Sequence, residues 1–347
     1  MYPKPLPAFE DHVIDHREIY DECKQKHGKP IDLAIRSTYN PKTKKCFGFS
    51  PSFIPCTTNY RKDLWNGIGL FPDTWEDVRI GGRKIKQRHG NPVWISLSNR
   101  QLQSMPLRSI MYSFGASIQD ETGNVTLNSK QTLEAVRFFK ALYEEAMTKE
   151  TLSWDSYTCD ISDQFIVSGK ASLLLSSISV TRTAERENPD MSQKIQLAKT
   201  PKGPVRRMGQ YYIPVYFIWK FADNIEGAKQ FLIDYVGNFR KAFLASKFRD
   251  FPCFPDTVPD LKKLIANDSR GHPPTKYNVL ENVFDWTTNI GYPGYTNAAI
   301  EEIESSHVIP AMFREAATGE VKPEDAIKDA EAACKYIFKK WAEKGCI

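Results

Sequence analysis

Residues 60–78 read YRKDLWNGIGLFPDTWEDV. A tyrosine and a charged triplet lead into a short helical stretch, a proline loop follows, and "TWEDV" opens a second helix. Thr74 is a good N-cap residue, and Asp77 three positions later approaches a capping box. The helix so started carries Val78, Ile80 and Ile85 toward a core, with Gly81–Gly82 expected to interrupt or loosen it. Trp75 looks ligand-like at first sight but reads better as core. Just upstream, residues 42–63 (KTKKCFGFSPSFIPCTTNYRKD) look extended, and their prolines point to edge or broken strands. The chain therefore enters this stretch as β-structure and leaves it as helix.

Working outward, the same alternation recurs. DHREIYDECKQK (residues 15–26) has Ile19 and Cys23 four apart, as on one helix face. NPVWISLS (91–98) is a short apolar strand. KQTLEAVRFFKALYEEAM (130–147) is the clearest helix, with Leu133, Val136, Phe139, Leu142, Tyr143 and Met147 along one face. Residues 160–177 read as a helix ending near Gly169 and a buried strand from Ala171 to Leu175. Lys194–Leu197 fits a strand, and YYIPVYFIWKFA (211–222) is strongly β-forming. Residues 224–246 are helical with slack at Gly237, and Leu280–Trp286 has helical character. Residues 298–319 form a helix broken near Pro310, and 322–345 a last amphipathic helix. This order predicts α/β layers. With no repeat and no low-complexity tether, any two lobes must be joined by several short crossings.

The bulk composition excludes several roles. A length of 347 residues suggests about two domains. The net charge of +5 comes from intermixed acids and bases, without the dense basic block that nucleic-acid binding uses. No run of about 18 apolar residues is present, so no membrane-spanning helix is expected. The opening MYPKPLPAFEDHVIDH lacks the basic start and apolar core of an export signal. Seven widely spaced cysteines make neither a disulfide framework nor a zinc knuckle, and free buried thiols are the plainer reading, although Cys46 and Cys56 could meet across a hairpin. His12 and His16 could start a metal site but read as polar N-terminal surface. Phosphate-loop, HExxH and GxSxG patterns are missing, so no metal and no cofactor is expected. Asp73, Asp77, Asp155, Asp160 and Asp285 are available to a hydrolase, but nothing sets two of them across a bond. Aromatic residues in loops stand out instead: Tyr60, Trp154, Tyr157, Trp286, Tyr292 and Tyr295. Beside small and polar residues, such rings suit the faces of a sugar.

At this point residues 60–78 carry a resemblance. They look like the Tyr-Asn-Lys-Asp-Leu segment, then Pro-x-Thr-Trp-Asp/Glu-Glu, of family 1 extracellular solute-binding proteins of ABC importers, the relatives of maltose-binding protein. LNSKQTLEAVRFFKALYEEA, FIVSGKASLLLSS, AKQFLIDYV and GEVKPEDAIKDAEAACKYI resemble further family segments in the family's order, from about residue 40 to 342. The resemblance implies an α/β, two-lobed, periplasmic-binding-protein-like clamp of type II. It also implies a carbohydrate or other polyhydroxylated solute as ligand, and ABC permease subunits as partners. A monomeric, non-enzymatic protein acting in the periplasm or outside the cell is expected.

Residue by residue, the resemblance places Tyr60, Gly294, Tyr295 and Asn297 at the ligand, with Ser177 and Ser179 at a position where some relatives carry tryptophan. Trp154, Trp286 and Tyr292 join them as loop aromatics. Arg61 stands where the family has asparagine. Turned inward it would favour a carboxylate or a densely hydroxylated ligand; turned outward, the preferred reading, it is surface. The expected division is 1–45 as a remnant of the first lobe, 46–205 as the second lobe, 206–275 returning to the first, and 276–345 ending in the second. Part of the first lobe's sheet is then expected to be missing, leaving unpaired edges, apolar faces and a weakened clamp. A carbohydrate-active enzyme with an aromatic-lined cleft and a cytoplasmic protein-interaction module are the alternatives.

Overall fold

The computed structural model describes residues 6–97, 104–152, 164–209 and 211–347. Two sheets organise the fold. Strands β3 (Ser52–Pro55) and β4 (Thr57–Arg61) run on from one another with only Cys56 between them, yet they belong to different sheets. β3 is the centre of a three-stranded sheet between β8 (Tyr211–Tyr212) and β9 (Phe251–Pro252), antiparallel to both. β4 lies inside a four-stranded sheet, antiparallel to β6 (Leu173–Ser176) and β7 (Ile195–Ala198), with β5 (Val93–Trp94) parallel to β6 on the outside. The small hairpin of β1 (Tyr39–Asn40) and β2 (Lys45–Cys46) precedes them. The expectation of edge strands for residues 42–63 is thus corrected. Pro51 falls just before β3 and Pro55 is its last residue, so the prolines bound the strand and leave its interior ladder intact.

Each sheet has its own core. Phe49, Phe53, Tyr211, Phe239, Phe243, Phe251, Tyr277 and Trp286 are among the residues that fill the first lobe. Tyr60, Trp65, Trp75, Val93, Phe139, Leu173, Phe313 and Trp341 are among those that fill the second. The opposite face of the second sheet is covered separately, by Trp94, Phe165, Leu174, Val180, Ala184 and Ile195. Successive side chains of a strand point to opposite faces, which explains why Val93 and Leu173 go one way and Trp94 and Leu174 the other. The cores shift the expected division. Cys46, Phe49 and Phe53 pack with the first lobe, as do Tyr277, Leu280, Val283 and Trp286, so the last return to the second lobe comes after residue 286.

Local signals set the helices. Thr74 and Asp77 form a full capping box at the start of the helix Trp75–His89. Gly81 and Gly82 do not break it, correcting the sequence expectation. A Cβ on Gly81 would lie 2.4 Å from the Trp65 ring, and one on Gly82 would lie 2.4 Å from Val93. These glycines admit neighbours that press against the helix axis. Ser129 caps the helix Lys130–Ala146 by accepting from the Thr132 N–H. The break in residues 298–319 falls at His307, left-handed at φ 60°, and not at Pro310. Pro310 sits in the first turn of the helix Val308–Thr318, where no backbone donor is needed. His16, read from sequence as surface, is fully buried. Its Nδ1 meets the Cys46 carbonyl at 3.1 Å and its Nε2 accepts the Ile218 N–H at 3.0 Å.

The β-forming run 211–222 is only partly paired. Tyr216 exchanges both backbone hydrogen bonds with Phe49, and Ile218 and Lys220 meet Ile14 and His12. Among the described residues, the outward backbone groups of Val215 and Phe217 take no strand partner. Phe217, Phe221 and Phe231 expose 39%, 75% and 61% of their surface. No helix among the described residues is long and apolar enough to cross a membrane.

The packing of Gly81 against Trp65 gives a direct check. Gly81→Ala should lose about 1–3 kcal/mol in denaturant unfolding, although alanine is the better helix former. Gly90→Ala, left-handed at φ 73° with open space around it, should cost only about 1 kcal/mol of backbone strain.

Candidate functional site: the seam between the lobes

Among the described residues, three crossings join the two cores. The first is Cys56, between Pro55 and Thr57; the second is residues 199–209, after β7; the third is residues 287–297, between Trp286 and the helix Ala298–Ser305. Tight local contacts pin them together. Thr200 donates its hydroxyl to the Cys56 carbonyl at 3.2 Å, tying the first crossing to the second. Gly209 N donates to the Trp286 carbonyl and Thr288 N to the Gly209 carbonyl, tying the second to the third. A Cβ on Gly209 would sit 2.6 Å from the Trp286 ring, so only glycine fits this approach.

The third crossing is held by a network of side chains. Gln119 donates to the carbonyls of Gly291 and Tyr295 at 2.7 and 2.8 Å and accepts from Asn297 Nδ2 at 3.0 Å. Asn297 also caps the helix Ala298–Ser305 through the Ile300 N–H. Tyr112 donates to the Ile290 carbonyl at 2.6 Å, and its ring tilts against Tyr292. Arg206 bonds the Tyr292 hydroxyl and lies over that ring, while Arg36 lies over the Tyr295 ring at 5.4 Å. Gly294 is buried, with Gln119 and the Asp120 backbone too close for any side chain. Beneath this loop Arg108 and Glu304 form a buried ion pair between the helices Ser104–Ser113 and Ala298–Ser305. Such a pair is costly to half-remove and so fixes how those helices meet.

Two polar surfaces face this seam. Ser177 and Ser179 follow β6, half-buried, with their hydroxyls 2.8 Å apart. A cavity of about 220 Å³ lies between the first lobe and the third crossing, lined by Asp32, Arg36, Phe53, Phe284, Thr288 and Asn289 among others. Arg36 there is held by Asp32 and by the Pro293 carbonyl. Sequence reading passed over Arg36 and Asn289 because nothing in residues 31–36 or 287–289 is unusual in composition. Only the return of the chain brings them together.

Three expected ligand contacts need correction. Tyr60 is 5% exposed, wedged edge-on between Trp65 and Phe71 at the end of β4 farthest from Cys56. Burial pushes its phenol up to about 12, so it stays neutral as a core side chain. Arg61 turns neither to a cleft nor freely to water. It folds onto Asp63 in a two-pronged pair at 2.8 and 2.6 Å, with 8% of the residue exposed. Trp286 is 3% exposed and packs in the first lobe. The structure thus groups Tyr292, Gly294, Tyr295 and Asn297 on the third crossing and pairs Ser177 with Ser179, leaving Tyr60, Arg61 and Trp286 within the packing. Trp154 and Tyr157 lie outside the described residues. Burial raises the carboxyl pKa of Asp250 and takes that of Glu301 up to about 7, but they flank different cores and do not form a pair across a cleft. Among the described residues, no group of three potential ligands could hold a metal.

Residues 49–247 match the family model for bacterial extracellular solute-binding proteins. The chain belongs to that family. A binding protein of Brucella abortus strain 2308 is 22% identical over 214 residues, 57% of this chain and 51% of that protein. The chain spans about half the length of the curated relatives it matches. Among solved structures, maltose-bound MalE3 of T. maritima superposes with a TM-score of 0.76 at 20% identity, over 95% of this chain and 82% of that one. An oligosaccharide periplasmic-binding protein of Synechococcus sp. MITs9220 gives 0.78 at 14% identity, over 98% and 84%. The laminaribiose-bound sugar transporter of Arthrobacter chlorophenolicus A6 gives 0.75 at 15%, over 95% and 82%. The two-lobed α/β fold is therefore the one these proteins share.

One buried base at the lobe contact gives a pH prediction. Lys276 is 1% exposed and donates to the Ser192 carbonyl at 2.7 Å; burial lowers its pKa from 10.5 to about 8. Between those values the unfolded chain holds a proton that the folded chain has released, so stability rises with pH across that window. Relative to Lys276→Met, the parent should gain roughly 1–2 kcal/mol between pH 7.5 and 9.5, read by chemical denaturation.

Proposed function

We propose that this chain is the solute-capturing component of an ABC importer. It holds a carbohydrate or related polyhydroxylated solute between its lobes and presents it to the membrane permease. The observation that carries the reading is the pair of separate cores joined by three short crossings at one seam. Such a layout lets two rigid bodies close on a ligand while only the crossings flex. Solute bound to both lobes favours the closed form by its extra contacts there. Family membership supports the role, as do similar folds solved with α-D-tagatose and with ribitol.

In this reading the Ser177 and Ser179 hydroxyls, Tyr292, Tyr295 and Asn297 meet solute, with Arg36 and Asn289 on the first-lobe side. Gly294 keeps the loop close enough for them to do so. Serine at position 179 gives hydrogen bonds where tryptophan would give a stacking plate, which suits a small or flexible polyol. The protein works as a monomer outside the cytoplasm, with no chemical step and no cofactor.

Calorimetric titration with maltose, laminaribiose, tagatose and ribitol tests this. At least one should bind with a dissociation constant between about 1 μM and 1 mM. The double change Ser177→Ala, Ser179→Ala should weaken it roughly 5- to 20-fold, as expected for two lost hydrogen bonds, with little change in melting temperature. Absence of both heat and thermal shift with every solute of a broad sugar and polyol panel would contradict the reading.

A further inference from the structure

The helix α7 (Ser179–Glu187) starts at one of the serines proposed to meet solute. Numbering it so follows α1 (Arg17–His27), α2 (Asp32–Thr38), α3 (Lys62–Gly67), α4 (Trp75–His89), α5 (Ser104–Ser113) and α6 (Lys130–Ala146). One face of α7 presents Val180 and Ala184 to the outer face of the second-lobe sheet. Its other face presents Thr181, Arg182 and Glu185 to the first lobe. Arg182 donates Nη2 to Asp268 at 2.8 Å and Nε to the Lys247 carbonyl at 3.1 Å. Its guanidinium lies 3.8 Å from the centre of the Tyr277 ring and 5.6 Å from that of Phe248. Tyr277 and Phe248 both belong to the first-lobe core. The Tyr277 hydroxyl returns to α7, bonding Thr181 at 3.0 Å and Glu185 at 2.7 Å.

We propose that Arg182 is a latch between the lobes, holding α7 against Asp268 and Tyr277 and so setting how readily the lobes separate. This rests on the clamp reading given above. Three features single out this contact. The Asp268 side chain is 3% exposed and is shared by Arg182 and Arg270, so it is committed to the junction. Lys247 and Phe248 are consecutive non-glycine residues in left-handed conformation, at φ 55° and 69°. Such a pair persists only where its surroundings hold it, and Arg182 grips both. The planar guanidinium serves the Asp268 carboxylate, that of Glu185 on its own helix at 2.9 Å, a carbonyl and two rings at once, which a lysine ammonium cannot do. Because α7 carries Ser179 at its start, a change in the latch also moves a proposed solute contact.

Small-angle scattering of the solute-free 347-residue protein tests the latch without knowledge of the ligand. Arg182→Ala should increase the radius of gyration measurably, Arg182→Lys by less, and Asp268→Asn should also expand it. Tyr277→Phe, which keeps the ring, should change it little. If Arg182→Ala does not fold, Arg182→Lys and Asp268→Asn carry the same readout. Variants that lose thermal stability yet keep the parent's radius would overturn the proposal and leave Arg182 as a support of α7 alone. A parent that binds none of the sugars or polyols while Arg182→Ala expands would remove the solute reading and keep the latch. A parent that binds solute while none of the variants expands would do the reverse.

Discussion

The fold depends on a single-residue change of sheet. β3 and β4 are one extended run, yet β3 is the centre of the first-lobe sheet and β4 lies within that of the second, with only Cys56 between them. Both are interior strands, so neither can slip without breaking ladders on two sides. This fixes the seam between the lobes to the length of one residue. The other two crossings must converge on the same place, and the bonds from Thr200 to Cys56 and from Gly209 to Trp286 show that they do. Anything the lobes bind between them is presented at that seam.

The surroundings of the seam divide into stiff and yielding parts. The buried Arg108–Glu304 pair and the Gln119 network lock the third crossing to the second lobe. The Arg182 contacts reach from α7 to the first lobe, across the only kind of junction a closing clamp must remake. The exposed aromatic edge near Phe217 and Phe221 lies in the first lobe, on the run that also bonds Phe49 just before β3.

Much of the fold was legible in the sequence because it rests on local signals. The Thr74–Asp77 cap and the periodic face of residues 130–147 need no tertiary information to be read. Gly81–Gly82 misled because propensity describes a free helix, whereas Trp65 and Val93 press on this one. His16 looked like surface because its partners, Cys46 and Ile218, are 30 and 202 residues away. The site was less legible. Tyr60 and Trp286 are aromatic, but being aromatic does not separate a cleft wall from a core, and burial here decides for the core. Arg61 could not be oriented until Asp63, two residues on, was seen to capture it. Tyr292 and Tyr295 stood out as loop aromatics, but Ser177, Ser179, Gly294 and Asn297 came from resemblance rather than from pattern, since serines after a strand have no signature of their own.

The central claim is that two rigid lobes move about this seam when solute binds. Spin labels placed one in each lobe, at exposed Lys130 and Lys241, would report the separation by pulsed dipolar spectroscopy. A bound sugar or polyol should shift the distance distribution to shorter values and narrow it. An unchanged distribution under conditions where calorimetry shows the sites saturated would contradict the account.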